Sequence, residues 1–354
     1  HPMKCPAGAG RPGGKREEAM HSAVSTPAVV WLGEATCGDC RVLGGKAGTL
    51  CRLAAEYPVP PGFCVTAAAW AEARAGAGLN GAVLPPWLAP EVQAAYARLA
   101  EVAGIAAPSV AVRSSALDED GAGTSFAGQH ESYLNVIGPE AVVRAVAACW
   151  ASARSDRALA YRRRHGLPAQ SPVAVLVQLL VPADVSAVVF SANPVTGARD
   201  EIVINASWGL GESIVGGTVT PDTYILRKTG PAVRSRTLAE KRRMTVPAGD
   251  GTHEVEVPRF LRTRAALTDA QAAEMAALAL SLERRMGGPV DVECAVHGGQ
   301  LYLLQCRPIT TLAADPRAHR DTGTWRTGAP ARRTPAPAWP EPAAAAGASP
   351  AYCG

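Results

Sequence analysis

The chain has 354 residues, 47% of them hydrophobic, and a formal net charge of +4. That length is enough for two or three packed units and a sizeable core. The charge excess is small and no basic run is longer than three residues, Arg162 to Arg164 among them, so neither nucleic acid nor a membrane surface is indicated as a partner, and no apolar run approaches the roughly 18 residues of a spanning helix.

Residues 1–26 open HPMKCPAGAG and contain no hydrophobic core of a secretory signal; they read as a disordered segment. The nine cysteines are an odd number scattered along the chain, a usage that fits reduced thiols and a cytoplasmic location better than a disulfide framework. Cys37 and Cys40 form a C-x-x-C with no second pair at zinc spacing, and read as incidental thiols in a loop. Residues 28–33 are apolar and predict a strand. Gly44-Gly45-Lys46 then opens a helical pattern carrying Leu50 and Leu53. A Gly-Gly-Lys at a helix start can set a flexible ammonium beside phosphates, although the spacing is not that of a Walker loop. Pro58 to Phe63 is rigid and turn-forming, suited to anchoring one unit on another, and a strand continues to Thr66. Residues 67–104 are Ala-rich and helical in pattern, interrupted at Pro85-Pro86.

The stretch from Ala111 to Val136 reads AVRSSALDEDGAGTSFAGQHESYLNV. A short strand delivers Arg113 with two small residues, Ser114 and Ser115. A loop with Gly121, Gly123, Thr124, Ser125 and Gly128 follows, and an alternating strand runs from Glu131 to Val136. Such a loop exposes backbone N–H groups and hydroxyls to an anion, and Arg113 adds a guanidinium fork suited to phosphate. The same composition also describes an acidic surface loop between two strands. Residues 139–164 predict one long helix or two, with Arg154, Arg157, Arg162, Arg163 and Arg164 on a solvated basic face. Val173 to Val181 is a buried strand with a single polar residue, Gln178, whose amide needs partners that ordinary backbone can supply. Strands follow at 185–190 and 202–206, with SANPVTG as the turn between them. The glycine-rich loop WGLGESIVGGTVTPD comes next, with Glu212 its one acid before Asp222. Residues 223–265 are polar and strand-like. Thr268 to Met286 predicts a helix with a Thr268/Gln271 capping box, an apolar face of Met275, Leu278, Leu282 and Met286, and a stop at Gly287 or Gly288.

Val290 to Val296 alternates, so Asp291 and Glu293 share one face of a strand and the valines with Cys294 take the other. Gln305 and Arg307 share a face of the strand that follows. A two-residue Gly298-Gly299 turn would pair Glu293 with Leu304. A three-residue loop, 298–300, would pair Glu293 with Gln305 and Asp291 with Arg307, and this register is expected because it gathers two carboxylates, an amide and a guanidinium. Oxygen donors of this kind suit Mg2+ held between a carboxylate and nucleotide phosphates, with Arg307 balancing phosphate charge.

VRSSA followed by SFAGQHESYLNV resembles the nucleotide-binding domain shared by phosphoenolpyruvate synthase, pyruvate phosphate dikinase and rifampin phosphotransferase. GGKAGTL at Gly44, PVPPGF at Pro58, SANPVTG at Ser191, GLGES at Gly209 and LLQCRPIT at Leu303 agree in order, over about residues 40–312. The resemblance implies an α/β, ATP-grasp-like fold with ATP and Mg2+ in a cleft between two subdomains, expected at 27–190 and 191–312. It implies that Lys46 contacts the ATP phosphates and that Gln178 lies at the adenine edge. Glu212 would lie by the nucleotide, and Gly128 and Ser132 in the lid, where Ser132 stands for an expected threonine. Glu293 would bind the metal, with Gln305 and Asp291 as further candidate donors, and Gln305 and Arg307 would contact the nucleotide. Members of the family usually continue into a swivelling phosphohistidine domain. Here the motifs end near Leu312, residues 313–354 are Pro- and Ala-rich and read as an extended tail, and none of the seven histidines lies in a swivel-type motif. Three functions follow: phosphotransfer to a small acceptor or to a histidine domain in another chain, ligation through an acyl phosphate, or nucleotide binding without turnover.

Overall fold

The computed structural model describes residues 26–34, 40–77, 83–117, 132–164, 171–230 and 232–310, together with 166, 168 and 312. Its β-branched runs form two sheets, each paired antiparallel throughout. The first is built from β1 (Val29–Trp31), β2 (Gly62–Val65), β3 (Val110–Ala116), β4 (Ser132–Val136) and β5 (Val173–Leu179), in the order β1-β2-β5-β3-β4. Between these strands lie α1 (Cys40–Leu53), α2 (Ala67–Ala77), α3 (Leu88–Ala103), α4 (Pro139–Ser152) and α5 (Asp156–Arg164). The second sheet has the order β13-β12-β6-β7-β8-β9. Its strands are β6 (Val185–Phe190), β7 (Glu201–Trp208), β8 (Asp222–Arg227), β9 (Val233–Thr237), β12 (Val290–His297) and β13 (Gln300–Pro308). The short α6 (Glu212–Val215), a separate hairpin of β10 (Arg243–Ala248) and β11 (Gly251–Glu256), and α7 (Asp269–Met286) complete the mixed helix-and-sheet fold.

Strand alternation sorts the core. The odd-numbered residues of β5, from Val173 to Leu179, pack with Val110, Val112 and the helices α2, α3 and α4. On the other face, Ala174 and Leu176 join Leu43, Leu50 and Leu53 of α1 and the inner face of the second sheet, with Val292 and Cys294, in one continuous core that α7 also covers. Helix α1 is thus shared by both sheets. The rigid Pro58–Phe63 turn bridges them as expected: the Leu303 amide of β13 donates to Pro58 O at 2.9 Å and the Leu179 amide of β5 to Pro61 O at 2.9 Å. The division between sheets falls at 180–184, so β6, expected at the end of the first unit, belongs to the second sheet.

Helix α7 starts where its capping box predicts. The Gln271 amide donates to Thr268 Oγ1 at 3.2 Å, the Thr268 amide to Gln271 Oε1 at 2.9 Å, and Gly287 ends the helix at φ 77°. Two expectations fail. Arg162 lies buried rather than on a solvated face, donating from Nη1 to Pro168 O at 3.2 Å. Cys64, Cys149, Cys294 and Cys306 are buried and in no disulfide, as expected, but Cys51 is disulfide-bonded.

Candidate functional site

The site is built on the outer face of β12 and β13. Valines and Cys294 of β12 point into the core, which leaves Asp291 and Glu293 on the opposite face. Glu293 stands across from Gln305, and Asp291 from Arg307. The expected pairing is present, but the three-residue loop is not. The turn has two residues, Gly298 at φ 56° and Gly299 at φ 80°, a left-handed pair suited to a tight hairpin. A bulge between Glu293 and Cys294 restores the register: Cys294 faces Leu303, Glu293 faces Gln305, and Leu304 is the extra residue.

Arg307 closes on its neighbour with two nitrogens, Nε at 2.9 Å and Nη2 at 2.8 Å from Asp291 Oδ2. Burial raises the Asp291 pKa above its usual range, Arg307 works against that rise, and the nearby Glu293 charge adds to it. Arg113 reaches across from the first sheet, with Nη1 3.9 Å from Glu293 Oε2 and both side chains largely covered. On the first sheet, Ser132 is the exposed cross-strand neighbour of Arg113, and Gln178 pairs with Ala111 on the same face. Gln178 is buried, and its Nε2 donates to Pro60 O at 3.1 Å. Lys46 lies in α1 just beyond a helix break at Gly44, where α1 is bonded to Ser115 of β3. The alternation of β3 therefore separates its two serines. Ser115 shares the face of Arg113, whereas Ser114 is buried on the other face.

Among the described residues, Glu212 bonds away from this group. It is exposed on α6, and its Oε2 accepts from Thr252 Oγ1 of β11 at 3.1 Å. Gly128 and the rest of the glycine loop lie outside the described residues. The floor beside the carboxylates was not anticipated. Val188 and Phe190 of β6 pair with Glu293 and Asp291, and Asn205 of β7 pairs with Val188 and accepts from Thr223 Oγ1 at 3.0 Å. This half-buried mixture of apolar and amide groups would have been legible only once the strand order was known.

Chemically, the cluster offers hard oxygen donors and two guanidinium groups at one edge of a partly apolar floor. Among the described residues no three His, Cys, Asp or Glu side chains could hold a metal by themselves. A divalent ion here would complete its shell with ligand oxygens and water, as Mg2+ commonly does. Glu293, Gln305 and Asp291 fit that partial role; Glu293 leads, because Asp291 is engaged by Arg307.

Residues 71–324 match the family model of the pyruvate phosphate dikinase AMP/ATP-binding domain. A probable phosphoenolpyruvate synthase of Methanocaldococcus jannaschii is 38% identical over 317 residues, covering 80% of this chain and 27% of that protein. The prodigiosin synthesizing transferase PigC of Serratia marcescens is 40% identical, covering 77% and 32%. An uncharacterized phosphotransferase, YvkC, of Bacillus subtilis is 36% identical, covering 78% and 34%. The chain therefore spans less than half the length of these relatives. No helix among the described residues is long and apolar enough to cross a membrane.

Proposed function

The chain belongs to the pyruvate phosphate dikinase AMP/ATP-binding domain family, and from that premise we propose that it is an MgATP-dependent phosphotransferase. It holds ATP in an ATP-grasp-like cleft between its two sheets and passes a phosphoryl group to a small acceptor or to a histidine domain carried on another chain. The observation that carries this reading is the meeting of Arg113 from the first sheet with Glu293 from the second, beside Gln305 and the Asp291–Arg307 pair. Phosphoryl transfer needs little covalent chemistry from the protein and depends on positioning and electrostatic stabilisation. Lys46, Arg113 and Arg307 supply three cations for the phosphate chain. Glu293, with Gln305 and Asp291, holds Mg2+, which supplies neutralisation of the phosphate charge. Gln178 orders the adenine edge through the Pro60 backbone, Ser132 offers its hydroxyl beside Arg113, and Glu212 orients a ribose or substrate hydroxyl.

The test is to incubate the purified chain with MgATP, with and without candidate acceptors, and to resolve the products. Nucleotide turnover that requires an acceptor, with a phosphorylated acceptor of the matching mass, is the expected result. Release of AMP would identify cleavage between the α and β phosphorus atoms or two successive transfers. Glu293→Gln and Arg113→Ala should abolish turnover while leaving the fold intact, and wild-type rates in both would overturn the assignment. A second reading is ligation, in which a carboxylate is activated as an acyl phosphate and joined to an amine or alcohol. The likeness to a relative named for synthesising prodigiosin favours keeping it in the test. A coupled product released with inorganic phosphate would select it.

A further inference from the structure

We infer that Ser115 is the residue that positions Lys46 against Arg113, an inference that rests on the nucleotide reading above. In an unbroken α1 the Ala47 amide would donate to Leu43 O, four residues back. Gly44, at φ 72° and ψ 175°, breaks that rung. The Ser115 hydroxyl occupies the gap. Its Oγ accepts from the Ala47 amide at 3.1 Å and donates to Leu43 O at 2.8 Å. One hydroxyl from another element thus replaces a hydrogen bond internal to the helix, and it does so fully buried.

The backbones also meet here. A Cβ on Gly44 would lie 2.1 Å from Ser115 O, so only glycine permits the approach, and its left-handed φ asks for glycine as well. Lys46 follows two residues after this contact on α1, and Arg113 precedes it by two residues on β3, on the same strand face as Ser115. The backbone positions from which the two cations extend are therefore tied together at one point. Without the hydroxyl, a buried amide and a buried carbonyl lose their partner, and the turn carrying Lys46 must shift to satisfy them.

Ser115 touches no phosphate in this scheme; it acts through Lys46, and the test separates that role from general destabilisation. Binding of MgATP and of AMP is measured by calorimetry for the wild type, Ser115→Ala, Lys46→Ala and the double variant, each checked for its melting temperature. Ser115→Ala is expected to weaken MgATP roughly tenfold or more, the loss of one positioned charged contact, and to leave AMP nearly unchanged. The double variant is expected to bind MgATP no worse than Lys46→Ala. Unchanged MgATP affinity in Ser115→Ala, equal losses for MgATP and AMP, or additive losses in the double variant would each overturn the proposal. Should Ser115→Ala not fold, Ser115→Cys takes its place, because the thiol keeps a weaker bond. A loss confined to MgATP then supports the proposal, and wild-type affinity or equal losses overturn it. A wild-type chain that binds no MgATP would overturn the nucleotide reading itself, a failure visible before any substitution is made.

Discussion

Asp222 and Lys241 have no exposed side-chain surface, and their charges meet at 2.6 Å. Removing two charges from water costs several kcal/mol, so such a pair persists only when the remaining polar atoms are also satisfied. Here they are: the Ala239 amide donates to Asp222 Oδ1 at 2.9 Å, the Ala266 amide to Oδ2 at 2.8 Å, and Lys241 Nζ donates to Ala239 O at 3.1 Å. Lys241→Met would leave the carboxylate buried without its cation, and a loss of about 3–5 kcal/mol is expected in urea denaturation. Substitution of the exposed neighbour, Arg242→Ala, should leave the urea midpoint close to that of the wild type. Equal effects of the two substitutions would refute the view that this pair holds 222–241 in place. Nothing in the sequence announces it, since both residues lie in a polar, strand-like region where periodicity does not say which charges turn inward. Arg162 fails for the same reason: spacing put it on a basic helical face, and only the packing of α5 shows it buried.

The hairpin of β10 and β11 looked featureless as a run of polar residues, yet its tip is held by one side chain of the first sheet. Asn135 of β4 donates from Nδ2 to Gly249 O at 3.1 Å and to Gly251 O at 2.8 Å, while its Oδ1 accepts from Ser109 Oγ at 2.7 Å. The residue adopts φ 57°, a left-handed conformation that asparagine tolerates better than most residues. Asn135→Gly keeps the conformation accessible and removes the bonds, whereas Asn135→Ala does both kinds of damage. Faster amide exchange across 243–256 is expected in both, with Ala less stable than Gly by about 1 kcal/mol; unchanged exchange would show that the tip is held by other contacts. The contrast with the β12–β13 hairpin shows which signals reach the sequence. There, alternation revealed the carboxylate face and Gly298-Gly299 marked the turn, because both follow from local periodicity and φ preference. The bulge at Leu304 is not legible, since a one-residue slip is decided by how β12 pairs with β6 and how both strands pack against α7. The expected pairing is thus formed with a two-residue turn and a bulge in place of a three-residue loop. Lys46, Arg113 and Glu293 were likewise legible as charged residues in recognisable motifs, while Ser115 was seen only as a small neighbour, because its partner lies 68 residues away.

Across the whole molecule the two sheets are joined through the 180–184 linker, the Pro58–Phe63 bridge and the shared helix α1. Asp184 pins the linker: its amide donates to Val296 O at 2.9 Å, its Oδ2 accepts from the Gly298 amide at 2.8 Å, and its Oδ1 lies 3.7 Å from His297 Nδ1. Asp184 raises the His297 pKa above its ordinary 6.5, and the His297 ring lowers Asp184 below its ordinary 3.8. The histidine contribution to stability is fully present below 6.5 and is lost as pH climbs through its raised folded value. The aspartate contribution is fully present above 3.8 and is lost as pH falls through its lowered value. The pair is therefore at full strength between these limits, and His297→Gln should flatten the fall in melting temperature above pH 6.5; an unaltered pH profile would remove the linker clamp from consideration. Nucleotide bound as proposed would add a link of a different kind. Arg113 and Glu293 belong to different sheets and face each other at 3.9 Å, each beside the opposite charge that a phosphate or a metal ion would bring. MgATP that engages both should stabilise the folded chain as a unit, by about 2.7 kcal/mol at a hundred times its dissociation constant. Thermal melts with MgATP should show that shift in the wild type and lose it in Arg113→Ala and in Glu293→Gln, although each variant alone melts near the wild type. A full shift that survives in both variants would place the nucleotide away from this pair, and with it the cleft would cease to be the site.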